Sequence, residues 1–214
     1  MIDSVIFDLD GTLWNSTGVT YMIWNRAFAS KGLSFRMTYE QALHYMGMTM
    51  HTIRDELVEN GFSADEAAEI VGIMTSASDY SCLADEGCCD SVMLYDGCIE
   101  TLRTLSRRYK LFIVSNCGSG YIESFLKIFD ISSLFTDHVC YGDNGLSKGD
   151  NIRLIIERNG LDSPIYVGDT AGDEAATRKA GIPFVYASYG LGKALVPDHT
   201  ILKISDLIPV CAML

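Results

Sequence analysis

Short apolar runs recur along the chain, and between them apolar residues return every three or four positions. The runs at residues 4–8, 111–115, 138–141, 165–168 and 184–187 are rich in Val, Ile, Phe and Tyr, with Gly, Asp, Asn or Pro at their borders. That composition and punctuation predict strands. The stretches 99–108, 120–129, 150–159 and 173–180 carry helical patterns, and Asn159-Gly160 and Ala180-Gly181, with Pro183 following, are stop signals. Strand and helix alternating in this way predict an α/β fold, a parallel sheet with helices on both faces.

One stretch breaks the alternation. From about Asn15 to about Tyr95 no run reads as a strand, and the patterns are helical. Residues 21–31 and 39–46 form two such segments. Residues 52–60, ended by Gly61, form a third. Ser63-Ala-Asp-Glu66 is a capping box that opens a fourth, which runs on through Ile70, Val71 and Met74. A strand-to-strand crossover needs only about a dozen residues. The excursion therefore predicts a separate helical lobe that leaves near Ser16-Thr17-Gly18 and returns near Asp96-Gly97. The expected division is a core of residues 1–15 and 96–214 and an inserted lobe of residues 16–95.

Composition narrows the setting. The chain has 214 residues, 48% of them hydrophobic and 21% charged, which fits a folded chain with one ordinary core and an appendage. A net charge of −12 argues against nucleic acid or an anionic membrane as partner. The 7 Cys are odd in number, Cys88 and Cys89 adjoin, and no Cys-x-x-Cys occurs, so reduced thiols and a cytoplasmic location are expected. No secretory leader is expected, and no apolar run approaches the roughly 20 residues of a membrane helix.

The chemistry lies where the strands end, since loops at the carboxyl ends of an open α/β sheet build its site. After the first run come Asp8, Asp10, Gly11 and Thr12; after the second, Ser115 and Asn116; after the third, just before a helix, Lys148; after the fourth, Gly168-Asp169-Thr170-Ala171-Gly172-Asp173. Carboxylates converging on one point suit a hard cation such as Mg²⁺. A lysine, a hydroxyl and turn N–H groups facing it suit phosphate oxygens. A carboxylate in such a site is a competent nucleophile, and a second carboxyl two residues on can protonate a leaving oxygen and then activate water.

Asp8-x-Asp10-Gly11-Thr12-Leu13, the strand-end Ser115, Lys148 and Gly168-Asp169-x3-Asp173 resemble the four motifs of the haloacid-dehalogenase-like (HAD) hydrolase superfamily, in order and across the whole core. The resemblance implies a Rossmann-like core with an inserted α-helical cap of the C1 type. It also implies an aspartyl-phosphate on Asp8, with Asp10 as general acid/base. Mg²⁺ would be held by Asp8, the Asp10 carbonyl and Asp169, with Asp173 supporting through water or by holding Lys148. Ser115 and Lys148 would bind the phosphoryl group, helped by Thr12 and Asn116. The family's dehalogenases lack the second aspartate, so Asp10 points to phosphoryl transfer. Tyr186-Ala-Ser-Tyr189-Gly190 with Gly192 resembles a segment of phosphoglycolate-phosphatase-like members, although Asp96 stands where those have proline and Asn15 where many have Asp. The expected activity is Mg²⁺-dependent hydrolysis of a small phosphorylated metabolite, phosphoglycolate among the candidates, by a monomer or homodimer. The rivals are a β-phosphoglucomutase-like mutase, which usually has Glu-Asp where this chain has Asp169-Thr170, and a non-catalytic binding protein.

Taken singly, these residues have plainer readings. Asp10 before Gly11 is a common turn pair, Ser115 a strand-end hydroxyl, Lys148 a surface lysine, and Thr170-x-x-Asp173 a helix N-cap. Only their joint occurrence at successive strand ends selects the chemical reading, and Thr12 and Asn116 stand evenly between the two. Residues 44–51, with Tyr45, Gly47 and three methionines, fit both a specificity loop and packing of the lobe's own core. His44 and His51 read as surface or packing residues, Trp14 and Trp24 as hinge and lobe packing, and Cys117 as a filler.

Overall fold

The computed structural model describes residues 1–77 and 93–214. Cys82, Cys88 and Cys89 lie outside the described residues; Cys98, Cys117, Cys140 and Cys211 are free thiols. Among the described residues no helix is long and apolar enough to cross a membrane.

The chain starts with β1 (Ser4–Phe7), then β2 (Trp14–Asn15). Four lobe helices follow: α1 (Thr17–Ser30), α2 (Tyr39–Tyr45), α3 (Met50–Glu59) and α4 (Ala64–Ser76). The core resumes with β3 (Met93–Leu94), α5 (Cys98–Leu105), β4 (Lys110–Ser115), α6 (Tyr121–Ile128) and β5 (Asp137–Cys140). After the short α7 (Tyr141–Asn144) come α8 (Lys148–Asn159), β6 (Pro164–Gly168), α9 (Ala171–Ala180), β7 (Phe184–Ala187), β8 (His199–Ile201) and α10 (Leu207–Met213).

Six strands form one parallel sheet in the order β5-β4-β1-β6-β7-β8. Alternate residues of each strand face opposite layers. Val5, Phe7, Leu111, Ile113, Ile165 and Val167 pack with Leu102, Phe125 and Leu207 of α5, α6 and α10. Ile6, Phe112, Val114 and Tyr166 pack with Ile152, Ile155 and Ala176 of α8 and α9. Both faces are covered, which is why the strands read as unbroken apolar runs. The lobe has its own apolar cluster, which includes Trp24, Phe28, Tyr45, Ile53, Leu57 and Met74.

Several features depart from the sequence-based expectation, among them β8, α10 and the start of α1 at Thr17. The excursion does contain strands: β2 and β3 pair antiparallel, Trp14 opposite Leu94 and Asn15 opposite Met93, where the chain leaves the core and comes back. Two residues per strand are too few to show a period. Helices α8 and α9 also begin earlier than expected, because Ser147 and Thr170 are their N-caps, accepting from the N–H groups of Asp150 and Asp173. Lys148 and Ala171 are thereby first-turn residues rather than loop.

Candidate active site

Strand β1 lies between β4 and β6, and the chain fans out from it in both directions. At such a switch point the strand ends leave a crevice. Asp8 follows β1, and its N–H still pairs with the Val167 carbonyl at 2.8 Å, so its side chain is fixed by the sheet. The turn after it closes through Leu13 N–H to Leu9 O at 2.9 Å and Gly11 N–H to Trp14 O at 2.8 Å. Gly11 has φ +82°, and a Cβ there would fall 2.2 Å from an Asp169 carboxylate oxygen. Glycine at this position therefore serves both the turn and the approach of Asp169.

Asp8, Asp169 and Asp173 are buried and offer oxygens that lie within 4.8 Å of one another. Lys148, 6% exposed, reaches them from the first turn of α8: Nζ is 2.6 Å from Asp173 Oδ1 and 2.9 Å from Asp8 Oδ1. The contact with Asp173 is a hydrogen bond. Asp8 Oδ1 has no partner of hydrogen-bond geometry and meets Lys148 as an ion pair. The other Asp173 oxygen accepts from Thr170 Oγ1 at 2.7 Å and from the N–H groups of Thr170 and Asp169 at 3.0 and 3.2 Å. Thr170 thus caps α9 while Asp173 anchors Lys148, so the helix-cap and site readings hold together. Asp169 Oδ2 accepts from the N–H groups of Leu191 and Gly192 at 2.7 and 3.0 Å. A Cβ at Gly190 would lie 2.3 Å from Asp169 Cβ, so the loop passes there only without one.

Three carboxylates face one ammonium group, and protonation reflects it. Burial, then Asp173 and Asp169, push the Asp8 carboxyl well up, against the pull of Lys148. Burial and then Asp173 raise Asp169 to about 7, against the N–H groups of Leu191 and Gly192. Burial works against the Lys148 charge, but Asp173 and Asp8 outweigh it and raise its pKa. Clustered oxygens with surplus negative charge and one oxygen short of a hydrogen-bond partner fit a divalent cation.

Asp10 stands apart from this trio. Its Oδ1 accepts from Ser16 Oγ at 2.5 Å and from the Tyr121 hydroxyl at 2.7 Å, and Ser16 and Tyr121 contact each other at 2.8 Å. Burial raises its pKa. The carboxylate cluster is therefore completed by Asp173, and the side chain of Asp10 is directed to the start of the lobe.

The remaining expected residues divide. Ser115 ends β4 and lines a narrow crevice with Asn116 and Asp10. Asn116 Nδ2 donates to the Gly47 carbonyl of the lobe at 2.9 Å. Thr12 is fully buried; its hydroxyl faces Asp169 Oδ1 at 3.4 Å and its carbonyl accepts from Tyr189 at 2.9 Å. Met46, Gly47 and Met48 line clefts on both sides of the Asn116 contact, and Met48 also packs on the lobe's cluster, so residues 44–51 serve both ends. His44 pairs with Glu56 at 2.7 Å and His51 with Asp55 at 2.8 Å on the lobe surface. Sequence reasoning missed Ser16 and Tyr121 on Asp10. It also missed the N–H pair on Asp169, which the Tyr189-Gly190-x-Gly192 spacing signalled.

Comparison with known proteins agrees with this geometry. Residues 5–187 match the model of the haloacid dehalogenase-like hydrolases. The chain is 28% identical over 240 residues to a phosphoglycolate phosphatase of Shigella boydii, covering 99% of this chain and 93% of that one. It is 25% identical to the pyrophosphatase PpaX of Bacillus mycoides, with 98% and 96% covered. A haloacid dehalogenase-like protein from Streptococcus pneumoniae shares the fold with TM-score 0.82 at 22% identity, covering 98% of each chain. Both the match and the site place the chain in one family: it belongs to the haloacid dehalogenase-like hydrolases.

Proposed function

We propose that the protein is a Mg²⁺-dependent phosphatase that hydrolyses a small phosphate monoester through an aspartyl-phosphate on Asp8. The observation that carries this reading is the buried trio of Asp8, Asp169 and Asp173 around Lys148, with Asp10 held separately by Ser16 and Tyr121 at the same crevice. An Asp8 oxygen attacks phosphorus while the bond to the ester oxygen breaks. Asp10 gives its proton to that oxygen, and the alcohol leaves. Asp10 then takes a proton from water, whose oxygen attacks the phosphorus of the aspartyl-phosphate. Inorganic phosphate departs and Asp8 is restored. Asp8, Asp169 and the Asp10 carbonyl would hold Mg²⁺, which would supply charge neutralisation for the transferring group. Lys148 and Ser115 orient those oxygens, with Asn116 and Thr12 as neighbours, and Asp173 keeps Lys148 in place. Residues 16–95 act as a cap whose closure excludes bulk water.

The relatives named above act on phosphoglycolate and pyrophosphate by their names, and both substrates are candidates here on that similarity alone. Asp8→Asn tests the reading: turnover of p-nitrophenyl phosphate with Mg²⁺ is expected to vanish while the circular dichroism spectrum stays unchanged. Full activity in the folded variant would refute the nucleophile.

A further inference from the structure

We infer that the substrate's leaving group is uncharged and mainly apolar, a short alkyl or aryl alcohol, because the crevice beside Ser115 sets methionine and aromatic side chains toward Asp10 and, among the described residues, holds no Lys or Arg. This rests on the phosphatase reading above and concerns what the same site accepts.

The leaving group must lie on the far side of phosphorus from Asp8, within reach of Asp10. Asp10 borders two clefts under the Gly47 loop. The inner one has room for about 50 Å³, and its lobe side is formed mainly by Trp24, Tyr45, Met46, Met48, Met50 and Ile53, with Thr20 as the hydroxyl among them. That side is predominantly apolar, and the thioethers adapt to shape. The outer one, about 550 Å³, adds Glu40, His44 and Asp169. Among the described residues neither lining holds a Lys or Arg.

The cations that exist are engaged elsewhere or lie off both linings. Lys148 faces Asp8 and Asp173. His44 pairs with Glu56, Arg54 with Asp55, and Arg36 donates to the carbonyls of Leu33 and Phe35. Lys193 follows Gly192 at the outer rim and belongs to neither lining. The sequence of residues 78–92 contains no Lys, Arg or His, and residues 16–95 hold eleven carboxylates against four Lys and Arg. A carboxylate or second phosphate on the leaving group would lose water here without gaining a Lys or Arg in return. That arrangement is strongly disfavoured. An alkyl or aryl group loses nothing and gains apolar contact.

The test compares kcat/KM for n-propyl phosphate, phosphoglycolate and pyrophosphate, with p-nitrophenyl phosphate as reference, at one Mg²⁺ concentration. n-Propyl phosphate is expected to exceed phosphoglycolate and pyrophosphate by about tenfold or more, the discrimination a single misplaced group produces. Propanol is the weaker acid, so intrinsic reactivity does not favour it. Met48→Arg is expected to lower the ratio of propyl phosphate to phosphoglycolate. Equal or better turnover of either anionic substrate by the unmodified protein would overturn the inference, as would an unmoved ratio in the variant. If p-nitrophenyl phosphate is not hydrolysed, it is the phosphatase reading itself that falls.

Discussion

Replacing Lys148 by methionine removes the ammonium group from among three buried carboxylates with little change of volume. Nζ lies 2.6 Å from Asp173 and 2.9 Å from Asp8. At an effective dielectric of about 20, each contact has a gross attraction of about 6 kcal/mol. Desolvation of the ammonium offsets several kcal/mol of that sum, and breaking a buried pair from one side costs about 3–5 kcal/mol net. For a chain of this length about 1 kcal/mol moves the melting temperature by about 2–4 °C, so Lys148→Met is expected to lower it by about 6–20 °C. The assay is thermal unfolding in chelator. The sign with pH is fixed: Asp8 and Asp169 are already raised, and without Lys148 they are raised still further above their unfolded pKa values, so the cost is full at pH 8. It shrinks toward pH 5 as protons replace the lost charge. A loss under about 1 kcal/mol at pH 8 would refute the reasoning, and so would a loss that grows as pH falls.

Three further outcomes follow from the same geometry. Tyr121→Phe leaves the ring packed beside Trp14 but removes a hydroxyl from Asp10; kcat is expected to fall by about tenfold with KM little changed, at a stability cost of about 1 kcal/mol, read by steady-state kinetics and urea unfolding. In chelator the intact protein is expected to lose stability as pH rises from about 4 to about 7, because Asp169 is raised to about 7 and the folded state binds the extra proton across that window. Mg²⁺ at about a hundred times its dissociation constant is expected to raise stability by about 2.7 kcal/mol at pH 8 and by less at pH 5, seen by scanning fluorimetry.

How much of this was legible in the sequence depended on whether local signals carried it. Asp8, Ser115 and Asp169 were legible because each terminates an apolar strand, and the lobe was legible as a break in alternation. Lys148 became a candidate only in the company of the others. The β2–β3 ribbon and β8, at two and three residues per strand, are too short for periodicity to reveal. The contacts of Tyr121 with Asp10 and of Asn116 with Gly47 join residues far apart in the chain. Nothing local encodes them; the first exists only once α6 packs beside the turn after β1, the second only once the lobe sits over the strand ends.

The antiparallel pairing of Trp14–Asn15 with Met93–Leu94 has a consequence for the history of such a chain. The lobe's two attachments are neighbours, so to the sheet the whole lobe amounts to one long surface loop. Loop closure grows only slowly with length, by about 0.6 kcal/mol per doubling. An insert of another size could therefore be carried at this point at little cost in loop closure, provided its first helix keeps the apolar contacts that Val19 and Ile23 make with the core. Ser16 sets the limit on that freedom. It is the residue just beyond the ribbon, and its hydroxyl holds Asp10. A replacement lobe is free in its far reaches but must begin with a residue that keeps Asp10 in position.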